Sequence, residues 1–83
     1  MLKPMTLSQV TGALNARLVG SDASFTGVSI DSRSVGAGQL FVALAGPRFD
    51  GHDYLADVQA KGAVAALVER EVADVDLPQL VVA

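Results

Sequence analysis

An α/β fold, with a small mixed, mostly parallel sheet of four to five strands and about two helices, is what this sequence predicts. Three observations carry that reading. Leu40-Phe41-Val42-Ala43-Leu44 is short and continuously apolar, as a strand buried on both faces should be. A helical pattern through Tyr54, Leu55, Val58 and Lys61 comes next, and then a second apolar run from Ala63 to Val68. Strand, helix and strand within residues 40–68 make a compact βαβ unit, which favours parallel pairing.

The remaining elements follow from local chemistry. Thr6-Leu7-Ser8-Gln9 has capping-box spacing, with Thr6 as N-cap and Gln9 reaching back. Leu7, Val10 and Leu14 then recur at helical spacing, and Asn15 is the stop. Arg17 to Val19 is a brief strand closed by the turn Gly20-Ser21-Asp22. Phe25 to Ile30 alternates, with Thr26, Val28 and Ile30 on one face and Phe25 and Gly27 on the other, so a single strand is predicted. Asp50 or Asp53 caps the helix after the apolar run, with Gly62 ending it. An acidic segment from Glu69 to Asp76 precedes a last strand at Leu80-Val81-Val82. Because that strand ends in an apolar run with no polar tail, residues 1–83 read as one domain of a longer chain.

Composition narrows the function classes. Just over half of the 83 residues are apolar and 18% are charged, which fits a globular rather than a disordered chain. The absence of cysteine leaves no disulfide staple and no thiolate chemistry. No stretch approaches the roughly 20 apolar residues of a membrane helix, and the N-terminus lacks a signal-peptide core, so a soluble cytoplasmic protein is expected; a monomer is expected as well. A net charge of −3 with six scattered basic residues argues against a nucleic-acid footprint.

Chemistry concentrates between Asp31 and Asp53, where turn residues, two arginines and the single histidine bring polar groups to both ends of the 40–44 run. A complete catalytic centre is not expected there. The chain has no G-x-x-x-x-G-K-[ST] loop, and Gly36-Ala37-Gly38 leads into a strand rather than a helix. One His beside Asp50 and Asp53 is too small a donor set for a metal, and Ser32 has no base partner in sequence. No catalytic residue and no metal ligand is therefore assigned. Asp31-Ser32-Arg33 has two readings: a turn that satisfies its own backbone, or a ligand site in which Ser32 donates and Arg33 supplies charge. The loop Gly46-Pro47-Arg48-Phe49 leaves the carboxyl end of a strand, where ligands of open α/β sheets bind. Phe49 there packs on a flat base or joins the core, and His52 reads as a helix-terminus residue.

Taken together, D-S-R at 31–33, G-x-L-F-V-A-L-x-G at 38–46, D-G-H-D-Y at 50–54 and Lys61-Gly62-Ala63 resemble the N-terminal domain of the Mur ligases. The resemblance covers nearly the whole chain, and it implies one domain of an ATP-dependent amide ligase of peptidoglycan precursor synthesis. This domain would hold the UDP end of a UDP-MurNAc-peptide. ATP and Mg2+ would belong to a central domain, and a C-terminal domain would help deliver the incoming amino compound. In such enzymes the precursor's terminal carboxylate is phosphorylated, and the incoming amine then displaces phosphate.

The Arg48–Asp53 run is most similar to the member that adds D-Ala-D-Ala to UDP-MurNAc-tripeptide. The member that adds the third peptide residue shares D-S-R and D-G-H, and a non-catalytic α/β interaction domain is the reading from a different class. Carried over by position, Ile30 and Ser32 match uridine-nucleotide contacts. Pro47, Arg48 and Phe49 match a loop that touches the nucleotide-sugar. Pro47, having no N–H, has only its carbonyl or ring to offer. Arg33, Asp50 and His52 match recurrent motif positions with structural or secondary roles, and Arg33 is counted with Ile30, Ser32, Pro47, Arg48 and Phe49 among the substrate-binding candidates.

Overall fold

A computed structural model of the chain describes residues 4–43, 50–73 and 75–82. Strand β1 (Met5–Thr6) runs directly into helix α1 (Leu7–Leu14). The capping box forms as the sequence predicts. Gln9 N–H donates to the Thr6 hydroxyl at 3.2 Å, and Thr6 N–H donates to the Gln9 side chain at 2.8 Å. Asn15 ends the helix in the left-handed conformation, φ 53°, which Asn tolerates better than most residues. Asp22 then ties the helix start to the next turn, accepting from Ser8 N–H at 3.0 Å and the Ser8 hydroxyl at 2.7 Å.

The strands that follow are β2 (Arg17–Val19), β3 (Ser24–Phe25), β4 (Gly27–Ser29), β5 (Gln39–Val42), β6 (Ala65–Val68) and β7 (Gln79–Val81). Five of them form one sheet in the order β2-β7-β6-β5-β4. The pairs β4/β5, β5/β6 and β6/β7 are parallel, and only β2 runs antiparallel, against β7. A 3-10 turn at Gly51–Tyr54 continues into helix α2 (Leu55–Ala60), which makes the β5–α2–β6 crossover that the apolar pattern anticipates. The mixed, mostly parallel sheet and the α/β class are as expected.

One difference concerns Phe25 to Ile30, which is not one strand. The chain breaks at Thr26, whose N–H donates to the Gly38 carbonyl at 2.9 Å. Ser24–Phe25 pairs antiparallel with Met5–Thr6 in a separate two-stranded sheet, whereas Gly27–Ser29 joins the main sheet. The facial alternation itself holds. Phe25 is buried, while Thr26, Val28 and Ile30 are exposed.

Two apolar clusters lie on opposite faces of the sheet. Leu7, Phe25, Leu40, Ala65 and Leu80 pack with α1 on one face. Phe41, Ala43 and Ala66 pack with Leu55 and Val58 of α2 on the other. Neighbouring residues Leu40 and Phe41 thus serve opposite faces, which is why the run carries no polar alternation. Each such buried Leu or Phe contributes roughly 1.5–3 kcal/mol by leaving water. Gln79, buried in β7, satisfies its amide by bonding both backbone groups of Val72 at 2.8 Å, which fixes the connection from β6.

Candidate functional site

The Asp31 turn grows from the carboxyl end of β4. Ser29 brackets it: its hydroxyl donates to the Asp31 carbonyl and accepts from the Asp31 N–H, both at 3.2 Å. The Asp31 carbonyl also accepts from Ser34 N–H at 3.2 Å and Val35 N–H at 3.1 Å, and its carboxylate accepts from Arg33 N–H at 2.8 Å. Val35 then drops into the same cluster as Leu55 and Val58, so the segment 30–38 crosses the α2 face on its way to β5. Ser32 and Arg33 therefore follow β4 and lie along α2. They do not sit at the amino end of β5, as a reading of the 40–44 run flanked by polar ends would have it, because residues 36–38 occupy that place.

Ile30, Asp31, Ser32, Arg33 and Tyr54 line an open concavity of about 530 Å³. Ile30 presents an apolar surface, 62% exposed, beside it. Ser32 is buried as a residue, yet its hydroxyl has no hydrogen bond among the described residues and is not sealed from solvent. A hydroxyl with no hydrogen bond among the described residues, on a residue that lines a cavity, is able to donate to a ligand oxygen. Arg33 is differently placed. Its Nε and Nη2 both reach the Asp31 carboxylate at 3.1 Å, a bidentate pair on an 88% exposed side chain. Those hydrogen bonds hold the Asp31 carboxyl below the usual carboxylate range and raise the Arg33 guanidinium.

A second turn begins at Asp50. Its Oδ1 accepts from His52 N–H at 3.0 Å and meets His52 Nδ1 at 2.6 Å, and its Oδ2 accepts from Arg70 Nη2 at 2.8 Å. His52 Nε2 accepts from Glu69 N–H at 3.0 Å, so the ring proton must reside on Nδ1 and point at Asp50. The ring is 3% exposed and both nitrogens are spent, which supports a structural role for His52. The Arg70 hydrogen bond first, then the two from His52, hold the Asp50 carboxyl well below the usual carboxylate range. Asp50, rather than Asp53, caps the 3-10 turn, and α2 itself starts after Tyr54 with no side-chain cap.

The structure thus brings Ile30, Ser32 and Arg33 together at one cavity, while Pro47, Arg48 and Phe49 lie outside the described residues. Two contributors are absent from the sequence reading. The helical spacing places Tyr54 on the helix and not at a site, although an aromatic beside the D-G-H-D turn is a signal that points there. Lys61, expected only at a helix end, donates from Nζ to the Ser32 carbonyl at 2.6 Å. Among the described residues no three His, Asp or Glu side chains converge to hold a metal ion, so no step through ATP or Mg2+ is assigned to them.

Comparison with known proteins agrees with this picture. A family model described as "Mur ligase family, catalytic domain" matches residues 24–82. The chain is 50% identical over 78 residues to UDP-N-acetylmuramoyl-tripeptide–D-alanyl-D-alanine ligase of Escherichia coli, covering 94% of this chain and 17% of that protein. It is 44% identical over 61 residues to UDP-N-acetylmuramoyl-L-alanyl-D-glutamate–2,6-diaminopimelate ligase of Bacillus licheniformis, covering 74% of this chain and 12% of that protein. A crystal structure of MurF from Acinetobacter baumannii superposes with a TM-score of 0.86 at 36% identity, over 99% of this chain and 18% of that one. The chain therefore spans less than a fifth of the length of each of these relatives. The family match extends over more than half of the sequence and takes in the Asp31 turn, the D-G-H-D turn and all of the parallel strands: this chain belongs to the Mur ligase family.

Proposed function

We propose that this segment anchors the uridine-nucleotide end of UDP-MurNAc-tripeptide, within a cytoplasmic ATP-dependent ligase that joins D-Ala-D-Ala to that precursor. The observation that carries the reading is the Ser32 hydroxyl, which makes no hydrogen bond among the described residues, on a residue that lines one concavity with the exposed Ile30 and with Tyr54. Ser32 donates to a polar edge of the base or ribose, Ile30 and Tyr54 give flat apolar contact, and Arg33 shares its charge with the phosphates. Pro47, Arg48 and Phe49 complete the site from the loop after β5. ATP and Mg2+ belong to other parts of the full-length enzyme. The segment's contribution to the rate is orientation, since binding energy gained at the remote nucleotide end positions the reacting carboxylate.

Greater identity over a longer span favours the D-Ala-D-Ala-adding ligase over the diaminopimelate-adding one, 50% over 78 residues against 44% over 61. A non-catalytic interaction domain requires Ser32 to be satisfied within its own turn, and its hydroxyl is not, among the described residues. An amide-shift titration of the chain with UDP, then with UDP-MurNAc-tripeptide, tests the site. Shifts are expected at Ile30, Ser32, Arg33 and Tyr54 and through residues 46–49. No shifts at millimolar ligand, or shifts confined elsewhere, would refute the assignment. In the full-length protein, phosphate release that depends on D-Ala-D-Ala rather than on a diamino acid separates the two ligases.

A further inference from the structure

We propose that Lys61 is a positioning residue for the nucleotide site: its ammonium, held on the Ser32 carbonyl, sets the conformation from which the Ser32 hydroxyl meets a ligand. The inference rests on the functional reading above for what the hydroxyl meets, and on the geometry alone for what Lys61 does.

The Asp31 turn is otherwise a local object. Its hydrogen bonds from Asp31 to Val35 run to Ser29 or among themselves. Its anchor to the rest of the fold is otherwise the Val35 side chain, packed with Leu55 and Val58. Among the described residues, the one side-chain hydrogen bond that ties it to another element comes from Lys61, 29 residues away, at 2.6 Å. A charged donor on a carbonyl is stronger than a neutral one. Lys61 Nζ also makes no ion pair with a carboxylate among the described residues, so its charge is directed at this carbonyl and, through space, at Asp31.

The place from which Lys61 reaches is itself firmly seated. Lys61 is the C-cap of α2, and Gly62 follows it at φ +101°. A Cβ on Gly62 would lie 3.0 Å from the Ala37 Cα, so glycine permits the end of α2 to press on the 36–38 turn. The Gly62 carbonyl accepts from Gly38 N–H at 3.1 Å on the same contact. Tyr54, at the other end of this helical unit, lines the same cavity as Ser32. Lys61 and Tyr54 flank α2 at its two ends. The unit of 3-10 turn and α2 thus carries one residue of the cavity lining and, through Lys61, a tie to the turn that carries Ser32.

Three forms of the chain test this: wild type, Lys61→Met, which keeps the apolar stem, and Lys61→Arg, which keeps charge and donor. UDP is titrated into each, and amide hydrogen exchange is measured on each without ligand. Lys61→Met is expected to weaken UDP binding roughly five- to tenfold, with Lys61→Arg recovering most of the loss. Without ligand, the Ser34 and Val35 amides are expected to exchange about tenfold faster in Lys61→Met, while amides of β5 and β6 keep their rates. Wild-type affinity in Lys61→Met would overturn the proposal. So would unchanged exchange at Ser34 and Val35, or an equal speeding of every amide, which marks lost stability alone. If the wild type fails to bind UDP, the functional reading falls, and the exchange measurement still decides whether Lys61 orders the turn.

Discussion

The Asp31 and Asp50 turns are built alike and end differently. Each aspartate accepts the backbone N–H two residues on, Arg33 at 2.8 Å and His52 at 3.0 Å, and each pairs with an arginine, Arg33 or Arg70. Asp31 holds only near neighbours and leaves the Ser32 hydroxyl unspent at a cavity. Asp50 holds a buried imidazole, which in turn accepts from the Glu69 backbone 17 residues away, and an arginine 20 residues away. A turn whose polar groups are all consumed across the fold is a structural joint. A turn whose carboxylate is consumed locally, and whose Ser32 hydroxyl makes no hydrogen bond among the described residues, has a donor to offer a ligand. Breaking the two turns should therefore move different observables.

The largest effect should come from His52→Ala. It opens a void in a site that is 3% exposed and strands the Glu69 N–H, costing about 2–4 kcal/mol together. Small domains hold only about 5–15 kcal/mol in total, so the urea midpoint should fall steeply. UDP affinity, measured where the variant is still folded, should change less than threefold. A stability change below about 0.5 kcal/mol would show that the joint does not hold the fold together.

Ser32→Ala should give the reverse pattern. Its hydroxyl makes no hydrogen bond among the described residues, so the urea midpoint should stay within about 0.5 kcal/mol of wild type. Affinity for UDP should drop roughly tenfold, the worth of one good hydrogen bond in a ligand site. If stability falls and affinity does not, Ser32 belongs with the joints and the contrast between the turns collapses.

The sequence makes this contrast only half legible. The capping box, the Asn15 stop, the run at 40–43, the helix at 55–60 and the strand at 65–68 are visible because each depends on neighbours within a few positions. The break at Thr26 is not visible, since it is imposed by a carbonyl at Gly38, 12 residues further on. His52 reads in sequence only as a helix-terminus residue for a related reason: its distant partner is the backbone N–H of Glu69, a group that every residue but proline carries. Lys61 escapes notice because its acceptor is likewise a backbone atom. Family resemblance locates Ile30 and Ser32 by motif, while the cavity that joins them to Tyr54 follows from α2 packing beside the crossing segment.

The smallest effect, and the finest test of the comparison, is the acid limb of stability. Asp50 and Asp31 both have carboxyl groups lowered from an ordinary value of 3.8 in the folded chain, Asp50 further. A carboxyl lowered by folding stabilises the native state fully above its unfolded value and loses that contribution as pH falls through the folded value. Stability should thus decline progressively below about pH 4, where the unfolded chain takes up protons first. Asp50→Asn should be less stable than wild type at pH 7, and the gap should narrow as pH drops from 5 to 3. Asp31→Asn should open a smaller gap at pH 7, because its pair with Arg33 sits on an 88% exposed side chain and water screens it. Urea midpoints of the three proteins across that range decide the matter. Equal gaps for the two variants, or a gap that widens toward pH 3, would mean that the reach of Asp50 across the fold adds nothing to what the Asp31 turn achieves locally.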